Sequence, residues 1–362
     1  MRGQIDDEQA VKGYFILSGK ALSRNLDRLS ELMKETLETA RFDENNRIRE
    51  IIAQERASRE QSVTGQGHSL AMTAASSGMS PAAMTMHRLN GLLGIRSLKA
   101  LDDALDEPGK IEEVASRFSE IHESVLKAPR QLLVIGEAEK REDLKRDLDR
   151  KWREGVPSGN FSPFSPPPSR NQVKQLWIAN TQVNFCAKAY PTVPVEHPQA
   201  PALAVLGGFL RNGFLHRAIR EQGGAYGGGA GQDSDNAAFR FFSYRDPRLV
   251  ETLDDFDRAV EWLLTEKHEW RELEEAILGV IGSLDKPGSP SGEAKQAFHN
   301  ALFGRTAEQR QRFRERVLKV TIEDLVEAGK TYLSPEKASI AVITSQANLD
   351  MTGDLGLEVF RL

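Results

Sequence analysis

The sequence predicts an α+β fold of two homologous domains, each a mixed or antiparallel sheet with helices packed on one face. Three observations support this prediction. The 362 residues exceed what one hydrophobic core usually holds. Short apolar runs of strand length are separated by groups of helical patterns and do not alternate strictly with single helices. The same order of elements also occurs on both sides of a proline-rich segment, which indicates a duplicated unit of roughly domain size.

The first half contains two predicted strands and several helices. Tyr14 to Leu17 are consecutive apolar residues, as in a buried strand, whereas leucines and isoleucines recur later at helical spacing. In chain order we expect a strand over 10–22, a helix over 22–37, a charged helix from 48 that fades near 65, small-residue helix and loop over 65–94, a helix over 111–127 and a short buried strand over 131–135.

The second half repeats this plan after a linker. Residues 155–172 contain five prolines and little helix or strand potential. In chain order we then expect a strand or hairpin over 173–190, a helix over 201–220, a glycine loop, a strand over 237–244, helices over 248–264, 270–284, 293–303 and 308–317, a helix capped by Thr321 and running to 332, and a buried strand over 338–344. The predicted domains are therefore 1–154 and 173–362.

Composition limits the functional classes. A net charge of −5 and a pI near 5.9 give no general attraction for nucleic acid, so we expect no nucleic-acid partner. No apolar run reaches the length of about 18 residues needed to cross a bilayer, and the start of the chain has no signal segment. The lone Cys186 excludes an internal disulfide and fits a reducing compartment. These features predict a soluble, cytoplasmic protein without a membrane partner.

The stretch from His216 to Gly231 is the most unusual in the chain. A charged helix runs into six glycines within nine residues, with Tyr226 among them and Arg220 six residues earlier. The guanidinium and the phenol together offer several hydrogen-bond donors, which could hold a peptide carbonyl or a developing oxyanion. The same residues also fit a purely structural helix end, since Gly-Gly is a common stop and an arginine suits the helix C-terminus. From the residues alone, both interpretations stay open.

Other catalytic patterns are absent or incomplete. The run from Gly67 to Ala71 lacks the last glycine of a serine-hydrolase elbow, and no glycine triplet has the spacing of a dinucleotide site. No two of the seven histidines lie four residues apart, so neither the H-E-x-x-H helix nor its inverted form occurs. We therefore predict no metal ligand in this chain.

The motif R-E-Q-G-G-A-Y-G, from Arg220 to Gly227, resembles the C-terminal half of the pitrilysin/insulinase-type zinc metallopeptidases, especially their presequence protease branch. Supporting segments are FILSGKAL, LLGIRSL, WIANTQVNFCAKAYP, the turn around Asp285 to Pro287, and TYLSPEKASIAVI. The resemblance implies a clamshell of four α+β domains that encloses unfolded peptides. It also implies that zinc and its H-x-x-E-H helix belong to an N-terminal half that is not in this sequence.

The resemblance assigns the site residues. Arg220 and Tyr226 match, in type, order and spacing, an arginine–tyrosine pair that binds the peptide backbone and stabilises the tetrahedral oxyanion. Gly223 and Gly224 match the glycines of the same substrate-binding turn. The partners implied are the zinc-bearing N-terminal half and unfolded peptides.

Two functions follow from the resemblance. In the first, the chain is the substrate-gripping half of a zinc endopeptidase, inactive by itself, and its first domain lacks the opening strands. In the second, it is a natural non-catalytic subunit of such a peptidase, serving peptide binding and assembly.

Overall fold

A six-stranded mixed sheet dominates the computed structural model, which describes residues 1–152, 161–352 and 355–362. A separate two-stranded ribbon lies near the start of the chain. The α+β class with a mixed sheet is therefore confirmed. The strands are β1 (Arg2–Gly3), β2 (Val11–Lys12), β3 (Lys174–Ile178), β4 (Phe185–Pro191), β5 (Gly227–Asp233), β6 (Ala238–Tyr244), β7 (Ser339–Thr344) and β8 (Glu358–Arg361).

The strand order in the large sheet is β5-β6-β4-β7-β3-β8. The pairs β5–β6, β6–β4 and β4–β7 are antiparallel, whereas β3 runs parallel to both β7 and β8. The predicted strand or hairpin over 173–190 is thus two strands that are not neighbours, because β7 lies between them. Strand β5 forms one edge of the sheet.

Helices account for most of the remaining chain. They are α1 (Leu26–Glu38), α2 (Asn45–Ser76), α3 (Pro81–Asn90), α4 (Leu92–Ala104), α5 (Lys110–Lys127), α6 (Arg141–Trp152), α7 (Ala200–Leu210), α8 (Val250–Thr265), α9 (Trp270–Leu284), α10 (Pro290–Leu302), α11 (Ala307–Val317), α12 (Ile322–Tyr332) and α13 (Gln346–Thr352). Helix α7 continues directly into a π-helical segment, Arg211–Gln222. None of the helices in the described ranges is both long and apolar enough to cross a bilayer.

Different helices cover the two faces of the large sheet. On one face, α7, α8, α9 and α12 bury the main core, which includes Leu203, Phe241 and Phe256. On the other face, small residues of α2 such as Ala71 and Ala74 form a second core with the sheet. Since α2 belongs to the predicted first domain, the two predicted domains share buried surface.

Several predicted elements are confirmed. The strand over 237–244, the helix over 270–284 and the strand over 338–344 are all present, with ends within one or two residues of the prediction. Thr321 caps α12 as expected, since its Oγ1 accepts a hydrogen bond from the Asp324 backbone amide at 3.2 Å.

Three predictions for the first half are wrong. Residues 13–22 form no strand, and Phe15 is 70% exposed. Residues 131–135 are also irregular and exposed. Both apolar runs lack a neighbouring strand among the described residues, and a strand cannot satisfy its backbone without one. The second helix does not fade at Gly65 but continues to Ser76 through a kink at Gln66.

The predicted linker lies only partly within the described residues, since 155–160 fall outside them. Residues 161–173 are irregular, as expected. They are nevertheless tied to the first half: the Asn171 amide donates to the Gly78 carbonyl at 2.9 Å, and Arg170 pairs with Glu8. The domain boundaries stay a prediction.

Candidate functional site

A tight turn joins the π-helical segment to β5 and carries the predicted motif. Gly224 has φ 78°, in the left-handed region that favours glycine. Its amide donates to the Arg220 carbonyl at 3.1 Å, and the Ala225 amide donates to the Ile219 carbonyl at 3.1 Å. These two bonds close the end of the helix and reverse the chain. Arg220 and Tyr226 therefore lie on the two sides of one fixed turn.

Gly223 is buried beneath Arg248. A Cβ on Gly223 would lie 1.9 Å from Nη2 of Arg248, so no larger side chain fits there without movement. Packing against Arg248 thus explains why residue 223 is a glycine, in addition to the substrate-binding role implied by the resemblance.

The side chains of Arg220 and Tyr226 are both exposed, and Tyr226 is 69% exposed. The Tyr226 amide donates to the Tyr244 carbonyl at 3.1 Å, which anchors the backbone of the tyrosine to the end of β6. Within the described part of the chain, no hydrogen bond or ion pair engages the Arg220 guanidinium or the Tyr226 hydroxyl. Their donors are therefore free to bind a ligand.

The glycines after Tyr226 form a strand, so the predicted glycine loop is wrong. Gly227–Asp233 is β5, paired with β6 along its whole length. Glycine is a poor strand former, which is why the sequence indicates a loop. Here the missing side chains allow helices to approach the strand: a Cβ on Gly228 would lie 2.9 Å from Ile219, and one on Gly207 would lie 2.7 Å from Gly231.

Aromatic residues from two distant parts of the chain support Tyr226. Its ring packs edge-on against Tyr244 at 5.6 Å, and Tyr244 packs against His68 of α2 at 4.7 Å. The Tyr244 hydroxyl donates to the Gly65 carbonyl at 3.3 Å, next to the kink in α2. Burial lowers the pKa of His68, so this imidazole is uncharged at neutral pH. Sequence reasoning missed both residues, because only the fold brings α2 to this end of the sheet.

A buried polar network lies behind the turn. The Asp246 carboxylate accepts hydrogen bonds from the Arg248 amide at 3.0 Å and from Oγ1 of Thr252 at 2.8 Å. Burial raises the pKa of Asp246, while these donors oppose the rise. Asn184 exchanges backbone hydrogen bonds with Asp246 and accepts one from Oγ1 of Thr344 at 2.6 Å. This network joins the ends of β4, β6 and β7 on the side of the sheet where the motif lies.

Both side chains of the motif lie on the exposed surface of the described chain. A cleft of about 450 Å³ near the ends of β3 and β7 is lined by residues such as Asn180 and Gln346, and neither Arg220 nor Tyr226 lines it. In the described ranges, no group of three or more His, Cys, Asp or Glu side chains is placed to hold a metal ion. What the arrangement offers is a pair of exposed side-chain donors on a turn that is held by backbone hydrogen bonds.

Comparison with known families gives two matches. Residues 1–101 match a domain described as associated with peptidases of family M16, subfamily C, and residues 174–346 match "PreP C-terminal domain". A mitochondrial presequence protease from Yarrowia lipolytica is 32% identical over 334 residues, covering 91% of this chain and 33% of that protein. Its counterpart in Xenopus laevis is 27% identical, covering 91% of this chain and 35% of that protein. The chain spans about a third of the length of these relatives.

Solved structures show the same fold at low sequence identity. A protease from Helicobacter pylori has a TM-score of 0.59 at 15% identity, covering 90% of this chain and 78% of the other. The inactive domain of an M16 peptidase from Pseudomonas fluorescens has a TM-score of 0.55 at 14% identity, covering 90% and 76%. Pitrilysin gives 0.53 at 14% identity, covering 94% and 36%. The folds agree over nearly the whole chain.

Proposed function

Because the chain belongs to the pitrilysin/insulinase-type (M16) metallopeptidase family, in its presequence protease branch, we propose that it is the substrate-gripping C-terminal part of a zinc-dependent endopeptidase. The single observation that carries this proposal is the exposed pair Arg220 and Tyr226, which lies on one turn at the edge of the sheet and whose side-chain donors have no hydrogen-bond acceptor among the described residues. Its substrates are unfolded peptides, enclosed between this part and the N-terminal half.

The pair acts through hydrogen bonds. The Arg220 guanidinium presents its donors to the carbonyl oxygens of an extended peptide, and the Tyr226 hydroxyl donates to the oxygen that becomes negative as the scissile carbonyl turns tetrahedral. Zinc would be held by the N-terminal half, where it would supply an activated water. The turn is held by backbone bonds in advance, so little reorganisation is needed during the reaction.

The partner in this proposal is the zinc-bearing N-terminal half, in the same polypeptide or as a separate subunit. Two apolar segments support an extensive contact with it: the run from Phe15 to Ile16 and the run from Leu132 to Ile135 are exposed and irregular in this chain alone. Both have strand-like sequences but, among the described residues, no strand to pair with. Contiguous exposed apolar surface of this kind marks an interface.

The alternative is a non-catalytic subunit that binds peptides and supports assembly. The exposed pair would still bind peptide there, but it would never face zinc. The intact mass of the natural polypeptide separates the two functions. A mass far above 40.3 kDa with zinc bound supports a single-chain peptidase, whereas a mass near 40.3 kDa without metal supports the subunit.

The compartment is part of the same proposal. The two relatives compared above are named as mitochondrial, which does not support the cytoplasmic location expected from composition. We therefore place the complete protein in mitochondria, and fractionation with an antibody to this chain tests it. Recovery only in the cytosolic fraction would contradict this location.

Substitution of the pair tests its role in the complete enzyme. Tyr226→Phe and Arg220→Ala should each lower turnover of an unfolded peptide by about 10²–10³, because each removes a donor from the developing oxyanion or the peptide backbone. Zinc content, measured by atomic absorption, should stay at the wild-type value, since the metal belongs to the other half.

Arg217→Ala is the matched control, because Arg217 is an exposed arginine of the same helical segment. Its turnover should be close to that of the wild type. Full activity in both motif variants would remove the pair from the mechanism.

A further inference from the structure

Arg248 contacts both sides of the motif turn although it follows Tyr226 by 22 positions. Its Nη2 donates to the Ala218 carbonyl at 3.2 Å and to the Asp255 carboxylate at 3.0 Å. The same guanidinium lies where a Cβ of Gly223 would be. The side chain is therefore held between the end of the π-helical segment and α8.

The contact with Ala218 adds a side-chain donor near the end of the helix that carries Arg220. The last carbonyls of a helix have no partner inside it and need donors from elsewhere. The Gly224 and Ala225 amides satisfy the carbonyls of Arg220 and Ile219. The Ala218 carbonyl, which precedes these two in the same segment, accepts a hydrogen bond from Arg248. A cation at this position also interacts favourably with the helix dipole.

The backbone of Arg248 fixes the Tyr226 side of the turn. Its amide donates to Asp246 at 3.0 Å, and its carbonyl accepts from Nδ2 of Asn184 at 3.2 Å. Residues 244 and 245, just before this anchored segment, receive the Tyr226 amide on their carbonyls. One residue thus links the helix of Arg220 to the strand end that holds Tyr226.

We propose that Arg248 is a positioning residue that sets the relative placement of Arg220 and Tyr226. The inference rests on the proposed peptide-gripping role for its functional consequence, while the geometric claim stands on the contacts alone. The position of Arg248 also explains why residue 223 is a glycine, because only a residue without a side chain leaves room for the guanidinium.

Arg258 provides a matched control. Its Nη1 binds the other oxygen of the same Asp255 carboxylate at 3.0 Å, and its guanidinium lies 5.8 Å from the Phe214 ring, but among the described contacts it makes none with residues 218–226. If Arg248 served only to neutralise the buried Asp255, loss of either arginine would have the same effect. If Arg248 positions the turn, only its loss disturbs the motif.

Hydrogen exchange of this chain, followed by mass spectrometry, measures the turn directly. In Arg248→Met, the amides of Gly224, Ala225 and Tyr226 should exchange at least about tenfold faster than in the wild type, because their hydrogen bonds open more often. Arg258→Met should leave these three amides unchanged. Arg248→Lys keeps a charge beside Asp255, but the lysine side chain is shorter and lacks the planar guanidinium whose Nη2 reaches both the Ala218 carbonyl and Asp255, so exchange should still rise.

Peptide binding links the geometry to function. The probe is a fluorescein-labelled unfolded peptide of roughly twenty residues, and anisotropy gives its Kd. Arg248→Lys should raise the Kd about tenfold, Arg220→Ala should also raise it, and Arg258→Met should not. Equal exchange in the Arg248 and Arg258 variants, or wild-type exchange in Arg248→Lys, would overturn the inference. Failure of the wild-type chain to bind peptide would instead count against the proposed function and leave the exchange result to decide the role of Arg248.

Discussion

His87 is a fully buried histidine whose two ring nitrogens find no hydrogen-bond partner among the described residues. It packs edge-on against Trp177 at 6.0 Å, with Arg96 nearby. Burial, helped by Arg96 and Arg88, lowers its pKa to about 4. The unfolded chain therefore binds a proton before the folded chain does. Stability should be complete above pH 6.5 and fall by up to about 3 kcal/mol as the pH drops towards 4.

Urea unfolding between about pH 4 and 7 measures this loss. His87→Leu should flatten the dependence of unfolding free energy on pH in this window, whereas His216→Gln, at an exposed histidine, should keep the wild-type slope. An unchanged slope in His87→Leu would mean that other groups cause the acid sensitivity.

The site was only partly predictable at the scale of residues. Glycine density next to an arginine and a tyrosine indicates the motif, and the left-handed φ of Gly224 is a direct reason for one of those glycines. Arg248 and Tyr244 are not visible in the same way, because their contacts with the motif depend on how β6 and α2 are placed. A sequence pattern reports local geometry, whereas these residues act through tertiary contacts.

At the scale of elements, a glycine of α2 allows this helix to pack closely against the sheet. A Cβ on Gly67 would lie 2.5 Å from the Phe185 ring, while Gly65, two residues earlier, has open space around it. Gly67→Ala should lower the free energy of unfolding by about 1–3 kcal/mol through overpacking. Gly65→Ala should leave it unchanged or raise it by about 0.5–1 kcal/mol, because alanine favours the helix.

Thermal or urea unfolding of the two variants checks this pair of expectations. Equal stability of both variants would show that α2 does not lie against Phe185 as closely as the structure places it.

Elements that combine a clear sequence pattern with a neighbouring element to pack or pair with were predictable. Elements that lack the pattern or the neighbour were not. β7 has a continuous apolar run and two neighbouring strands, and α12 has a cap and a helical stripe. The runs over 14–17 and 131–135 have the pattern of strands but no strand beside them in the described chain. β5 is the reverse case, since its pairing with β6 forms a strand from residues that predict a loop. Pairing is a property of the fold and not of the segment.

At the scale of the whole molecule, the two halves of the chain are not independent. α2 contributes Val63, Leu70 and Ala71 to a core with β4 and β7, and its kink reaches Tyr244 beside the motif. Displacement of α2 from the sheet would therefore also disturb the support of Tyr226. The edge that carries the motif therefore depends on the first half, although every residue of the motif belongs to the second.

The exposed apolar segments give the last prediction. Phe15 and Ile16 are 70% and 57% exposed, so Phe15→Asp or Ile16→Asp should change the stability of this chain by no more than about 0.5 kcal/mol. If these residues contact the N-terminal half, the same changes should weaken its association by about tenfold or more, since a buried charge would lack a partner. Titration calorimetry between this chain and a separately produced N-terminal half measures the effect. Leu278→Asp is the control, because Leu278 is 60% exposed and belongs to α9 and not to either segment. Association that stays at the wild-type value in both the Phe15 and Ile16 variants would show that the exposed segment lies outside the interface, and the search would turn to the run from Leu132 to Ile135.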